Sequence, residues 1–448
     1  MNATTRVGCA LVLGVSLLLI AGPVCAQTGP PVQMPKPYRT LFGGDDVRLP
    51  SLHALDLTLT LDSGLDDGMY GLNARPVDGS APVSTGFQEI YAGTAELAYT
   101  RRGRQFGAEL RGLASLPYYS LFPDEPLTAA YGGRGSVSFL STRTSVNAFG
   151  NYLHSPYYAG ALDPSTGPGI GNGYFGRMSA LNPNNEATAG AGLTYKIGRR
   201  TSTILGYSYY STDFTEEVRW NRSQGVDASL ERQLSRGVAI TGAYWYRTGD
   251  YTTGDIVTDA DSHDVSVAFA YTRRGPRGKT SLFRAKVGYS IVDDTGRHYE
   301  GWPWSVHVDH SVGTRWSLAA DYSRSLQYYS TVQRPLWSDM VTIAATGYVN
   351  ARVKLGFDGN YWTGQRVFDV GREYDTYWTT ARIQVALVQW AAITAGYSYY
   401  RYDYPPGYIL PAGMPHELNR QRVQLGASFW LPLARGGRGG AGRIPDNQ

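Results

Sequence analysis

Ser305, His307 and Asp309 bring the three residue types of a hydrolytic triad into one short segment. Their alternation puts them on one face of an extended strand. Residues i and i+2 of a strand lie about 6.5–7 Å apart, whereas triad partners need contact at about 2.6–3.2 Å. The spacing that aligns these three side chains therefore keeps them out of reach of one another. His307 and His310 differ in parity, point to opposite faces and make no metal pair. The chain has no HExxH and no glycine-rich phosphate loop opening a helix. Its two cysteines, Cys9 and Cys25, both fall near the N-terminus. No catalytic centre, metal or cofactor is predicted. A hydrolase site assembled across several strands stays open as an alternative.

A second constellation is larger. In segment after segment, charged residues share a parity and apolar residues take the other. Glu96, Glu109, Arg111, Arg134, Lys196, Asp227, Glu231, Asp264, Arg284, Lys286, Asp309, Asp321, Lys354, Asp358, Arg382 and Arg422 all fall on the polar face. Acids and bases balance in this set. An Arg or Lys at the lipid midplane of a membrane barrel costs about 2–4 kcal/mol, so a membrane-spanning sheet has to collect its charges on the lumen side. These are the candidate pore-lining residues. They fit either a mutually paired, solvated wall or a conducting pore of weak ion selectivity. Tyr210, Trp245, Trp362 and Tyr400 share the lumen parity. Their rings fit a saccharide path or interfacial packing.

The elements that must carry these residues are strands. Leu55, Leu57, Leu59 and Leu61 interleave with Asp56, Thr58, Thr60 and Asp62, and Val265, Val267, Phe269 and Tyr271 repeat the pattern, as do Val423, Leu425, Ala427, Phe429 and Leu431. Such period-two alternation marks strands with unlike faces. The whole chain divides into about 18 strands of roughly 10 residues, the length a tilted membrane strand requires; 16 is the alternative count. No apolar run after the N-terminus approaches the roughly 20 residues of a spanning helix.

The connections alternate in kind. Arg101–Arg104, Ser141–Thr144, Gly198–Arg200, Arg273–Lys279 and Val312–Arg315 are short and basic. Ser63–Gly86, Pro117–Leu127, His154–Glu186, Thr248–Asp261, Asp293–Gly301 and Arg401–His416 are longer and often acidic. Short turns on one side and long loops on the other are the pattern of an outer-membrane barrel with its turns in the periplasm. Tyr118-Tyr119, Tyr209-Tyr210, Tyr244-Trp245-Tyr246, Trp302, Trp304, Tyr361-Trp362 and Tyr399-Tyr400 crowd toward the long-loop ends, as an interfacial girdle would. A soluble β-propeller would also place two strands about every 42 residues, but no repeated blade signature occurs.

Residues 1–26 read as a secretory signal, with Arg6, an apolar stretch from Val7 to Ile20 and Val24-Cys25-Ala26 before the cleavage point. Acylation at Cys25 is the rival reading. Cleavage would remove one Arg and no acid, taking the net charge from +4 to +3; nothing in that balance points to nucleic acid. Residues 27–51 form a proline-rich periplasmic leader, 52–432 the barrel and 433–448 a Gly/Arg-rich periplasmic tail.

In its signal peptide, cysteine-free mature region, alternating strands and asymmetric connections, the chain resembles bacterial outer-membrane porins over about 380 residues, Leu52 to Leu431. Among porin-like families it looks most like the β-barrel porins encoded beside exopolysaccharide assembly genes, in strand number, short Pro-rich leader and lack of other domains. The resemblance is architectural and transfers no functional residue. It implies an all-β, antiparallel up-and-down barrel acting as a channel for hydrophilic solutes or an exported polysaccharide. Outer-membrane lipid and lipopolysaccharide are the implied surroundings, with polysaccharide and periplasmic export proteins as further partners. It also implies that the third external loop, His154–Glu186, folds into the lumen, though a surface loop is equally compatible with its sequence. A structural or adhesive barrel with a blocked lumen is the competing function. One feature departs from the porin pattern: the chain continues past Phe429-Trp430-Leu431. Neither a plug of the siderophore-transporter kind nor periplasmic repeats of the barrel-assembly kind is read before Leu52, which sets those subclasses aside.

Overall fold

The computed structural model describes residues 53–67, 87–119, 129–155, 158–159, 178–180, 184–214, 219–253, 256–275, 280–294, 296–313, 315–328, 335–366, 374–388, 390–403 and 417–436. Eighteen strands form one closed antiparallel sheet. In chain order they are β1 (His53–Asp66), β2 (Gln88–Arg102), β3 (Phe106–Tyr119), β4 (Ala130–Leu140), β5 (Thr144–Ser155), β6 (Asn184–Lys196), β7 (Thr201–Phe214), β8 (Arg219–Gln233) and β9 (Val238–Thr253). The second half comprises β10 (Ile256–Arg274), β11 (Thr280–Asp294), β12 (Trp304–Val312), β13 (Trp316–Tyr328), β14 (Pro335–Tyr348), β15 (Val353–Arg366), β16 (Tyr374–Val388), β17 (Ala391–Asp403) and β18 (Glu417–Gly436). Each pairs with the next, and β1 pairs with β18 from His53↔Gly436 to Asp66↔Arg422, so the sheet has no free edge. A short strand, Arg297–Gly301, extends β12 along the end of β11, and Tyr158–Ala159 pairs with Met178–Ala180 apart from the barrel.

Register fixes the faces. Leu97 on β2, Leu110 on β3, Val267 and Phe269 on β10 and Leu425 on β18 are apolar and exposed, and the parity they share with their cross-strand neighbours runs around the whole sheet. In water so large an apolar surface would drive association; around a closed barrel it is the surface that lipid covers. The chain is an outer-membrane β-barrel. Among the described residues no helix is long and apolar enough to cross a membrane.

This assignment of faces has a direct test. Ile343 points outward at mid-strand on β14, and its neighbour Thr342 points inward opposite Asp321. Ile343→Arg should cost about 2–4 kcal/mol, whereas Thr342→Arg gains a carboxylate partner and should cost less than about 1 kcal/mol. Urea titrations of both variants folded into vesicles measure the difference. Equal costs would mean that the faces are wrongly assigned.

The strands run longer than the roughly 10 residues expected, and they absorb part of the predicted loops. Thr248–Asp261 is mostly paired strand: Thr248 faces Asp261, and the ladder continues to Thr253↔Ile256. Tyr251, Thr252, Ile256, Val257 and Thr258 are aromatic or β-branched, types that favour the extended ladder. Asp293–Gly301 is likewise a hairpin closed at Asp294↔Arg297. Ser63–Asp66 belongs to β1. The predicted tail also yields residues to the barrel, because Ala434, Arg435 and Gly436 pair with Leu55, Ala54 and His53. A register shift between Leu55 and Asp56 accommodates Pro432, which lacks an amide donor, and leaves Leu433 as the extra residue of a bulge. Residues 1–52 lie outside the described residues, and with them the signal and the leader.

Eight short turns, each opening where a strand of even number ends, share one end of the barrel with the termini of the sheet. Local polar contacts hold them. The Ser141 hydroxyl accepts from the Thr144 amide at 3.1 Å, and the Asn350 carboxamide oxygen accepts from the Arg352 and Val353 amides at 2.8 and 2.9 Å. Gly313 supplies the left-handed residue of the β12–β13 turn, with φ of +67°.

Candidate functional site

Every one of the sixteen charged residues singled out in the sequence has the parity opposite to the exposed apolar set, and so faces the lumen. All except Arg422 sit at mid-strand or toward the turn end. Lys196 and Arg382 are exposed, Glu231 and Arg422 are buried, and the others are half-buried.

Neighbouring strands assemble these charges into separate clusters. On β2–β4, the Arg111 guanidinium donates to Glu109 at 2.5 Å and to Glu96 at 3.2 Å, and Arg134 reaches Glu109 at 3.4 Å. Arg111 and Arg134 stand directly opposite each other across the β3–β4 ladder, so the two glutamates screen a like-charge pair. On β15–β16, Arg382 donates to Asp358 at 2.8 Å. The region β11–β13 stands nine strands from β2–β4, half the circumference away. There His307 Nδ1 lies 3.3 Å from Asp321. The register sets Ser305 opposite Ser323 and His307 opposite Asp321, with Asp309 two residues further along its strand. The triad rejected on spacing is therefore also divided by pairing: the histidine's carboxylate is on the adjacent strand. Period-two reading could assign each face but could not foresee cross-strand partners, which depend on turn lengths. Among the described residues no three His, Cys, Asp or Glu side chains converge as a metal site.

Glycine makes room for two of the lumen carboxylates. Gly206 faces Asp227 across the β7–β8 ladder, and a Cβ at position 206 would stand 2.0 Å from the Asp227 carboxylate. Gly426 and Asp62 repeat the arrangement at the β1–β18 seam, at 2.2 Å. A side chain at either glycine would need the carboxylate displaced.

The most buried ion pair lies at this same seam. Arg420 on β18 donates through Nε and Nη2 to the two carboxylate oxygens of Asp66 on β1, at 2.7 and 2.5 Å, with both side chains at most 1% exposed. Sequence reading missed it. Asp66 and Arg420 fell inside or next to segments read as loops, and they are 354 positions apart.

The loop-side half of the lumen differs from the turn-side half. Ile90, Ala130, Val292 and Trp362 face inward there, each at most 1% exposed, together with buried Ser115, Ser338, Thr376 and Tyr400. Burial is not confined to this level, because Asp56, Glu231, Ala386 and Ala392 face inward toward the turn end and are buried as well. On the turn side Lys196 and Arg382 stay exposed. Of the aromatics assigned to the lumen by parity, Trp362 and Tyr400 are thus buried, and the Trp245 ring carries the Arg247 guanidinium 4.2 Å from its centroid. The predicted third loop does join β5 to β6; whether it enters the lumen falls mostly outside the described residues.

On the hairpin at the loop-side end of β11, His298 binds Asp293 at 2.8 Å and Glu300 at 3.3 Å. The hydrogen bond to Asp293, then that to Glu300, raises the His298 pKa above 6.5. Hydrogen bonds from Tyr289 and His298 lower that of Glu300. The His298 contribution is thus full below pH 6.5 and fades as pH rises through its raised pKa. That of Glu300 is present above pH 4.5 and is lost as pH falls through its lowered pKa. Histidine-selective NMR should place the His298 midpoint above that of a His298-containing unfolded peptide, and Asp293→Asn should bring it down.

The closed eighteen-strand sheet, its apolar outer surface and its charged inner wall are those of an outer-membrane β-barrel. No protein-family model matches the sequence, and no curated protein does. Solved structures of similar shape include Pseudomonas aeruginosa OpdQ, at 10% identity over 85% of this chain and 99% of that one, with a TM-score of 0.44. A BenF-like porin from Pseudomonas fluorescens Pf-5 shares 13% identity over 85% and 99%, also with a TM-score of 0.44. The Pseudomonas aeruginosa outer membrane protein opdK shares 9% over 85% and 98%, with a TM-score of 0.45. The likeness is one of barrel architecture alone.

Proposed function

We propose that this chain is a non-catalytic outer-membrane channel for small hydrophilic solutes, with a broad charged vestibule on the turn side and a constriction on the loop side. A barrel of 16–18 strands encloses more space than its inward side chains fill. The carrying observation is a difference in the side chains along the axis: charged Lys196 and Arg382 stay exposed on the turn side, and the large Ile90, Val292 and Trp362 are fully buried on the loop side. In this reading the charged residues from Glu96 to Arg422 line the path, and their near-balance of sign gives weak ion selectivity. A packed loop-side half suits a small solute better than an exported polysaccharide. The same complete burial favours one other reading, a structural barrel with a closed lumen.

Single-channel recording of the refolded protein in a planar bilayer separates the two. Small, ohmic, weakly selective steps support the constricted channel. Large steps blocked by added oligosaccharide would restore the polysaccharide path. No steps from protein confirmed as folded would sink the channel and leave the closed barrel.

A further inference from the structure

The turn end of the barrel carries an unbalanced charge. Seven of its eight turns contribute at least one Arg, and none contributes Asp or Glu; the remaining turn is Gln389-Trp390. Arg104, Arg143, Arg199, Arg236, Arg315 and Arg352 come from six different turns, and all are exposed. Exposed outward carboxylates such as Asp293 lie instead at the opposite end. Solubility alone would be served by mixed signs. A ring of one sign, at one level, needs a counter-charge at that level.

The ring is circumferential and begins where the apolar outer surface stops. Exposed Phe106, Ile197 and Val312 lie at or beside the turns. The Arg101 guanidinium sits 5.7 Å above the Phe106 ring, and Trp390 stacks on Phe429 at the same end of the barrel. Aromatic rings and guanidinium groups at the edge of an apolar belt occupy the headgroup layer of a membrane. A folded protein partner would meet one arc of such a ring; a lipid leaflet meets all of it.

We propose that the arginine rim of the turns is a docking surface for anionic phospholipid headgroups of the periplasmic leaflet, each guanidinium donating two hydrogen bonds to a phosphate in fork geometry. The rim selects acidic lipids into the first shell around the barrel and fixes its height in the membrane. It requires no open lumen and is independent of the channel reading.

The test is native mass spectrometry of the folded full-length barrel released from nanodiscs of equal phosphatidylglycerol and phosphatidylcholine. Near a charged surface each Lys or Arg contributes about 1 kcal/mol to lipid attraction, so the wild type should retain phosphatidylglycerol over phosphatidylcholine by about fivefold. A variant with Arg104, Arg143, Arg199, Arg236, Arg315 and Arg352 all replaced by Gln should lose most of that preference, and the matching Lys variant should stay enriched. Heat-modified gel mobility and circular dichroism establish that each variant is folded. No preference in the wild type, or full retention by the Gln variant, would overturn the proposal and point to an acidic periplasmic protein instead.

Discussion

Arg420→Ala should destabilise the barrel by about 3–5 kcal/mol, the cost of breaking a buried ion pair by removing one partner. The pair lies at the closing seam, where the first strand meets the last. Arg420 holds both oxygens of Asp66, and neither side chain is more than 1% exposed. Without the guanidinium the carboxylate keeps its desolvation cost and loses its counter-charge. The second substitution is the diagnostic one. Asp66→Leu combined with Arg420→Met removes both charges and should recover most of the loss, because the intact pair has itself to offset the desolvation of two ions. Urea unfolding in vesicles, followed by tryptophan fluorescence and gel mobility, gives the full cycle. Single variants costing under about 1 kcal/mol would show that water reaches the pair and that the seam rests on its backbone ladder alone.

The same seam shows how far sequence carried the fold. The parity of Leu55 to Leu61, or of Val265 to Tyr271, is a local property, since side chains alternate along any strand. Hence the strand number and the division of each strand into two faces were legible without coordinates. Partnerships were not. Asp66 meets Arg420 only because the sheet closes after eighteen strands in one register, and the bulge at Leu55/Asp56 belongs to that closure rather than to either strand. Loop boundaries were misplaced for a related reason. Gly249 and Asp250 look like turn residues, yet both lie within the ladder, opposite Ala260 and Asp259, and pairing continues to Thr253↔Ile256. The burial of particular inward residues was beyond sequence reading altogether, because Ile90 and Val292 have the same parity as half-buried Glu96 and Lys286.

Arg111→Glu should produce the largest change in ion selectivity. Glu96, Glu109, Arg111 and Arg134 sum to zero charge on β2–β4; the substitution leaves three carboxylates and one guanidinium, a local charge of minus two. In water a unit charge at about 10 Å changes the energy of a passing ion by about 0.4 kcal/mol. Two units therefore favour a cation by about 0.8 kcal/mol, or roughly fourfold in local concentration at low salt. The reversal potential across a KCl gradient should move toward the potassium potential, and the shift should shrink as salt shortens the screening length to about 3 Å at 1 M. Arg111→Gln, with a local charge of minus one, should give about half the shift in energy. Three readings then part company. A graded, salt-sensitive shift puts this wall on the ion path. An unchanged potential in an open channel moves the path to the other side of the lumen, toward His307 and Asp321. A salt-insensitive change would instead reflect local rearrangement around Glu96 and Glu109, because direct steering by wall charge must weaken when counter-ions screen it.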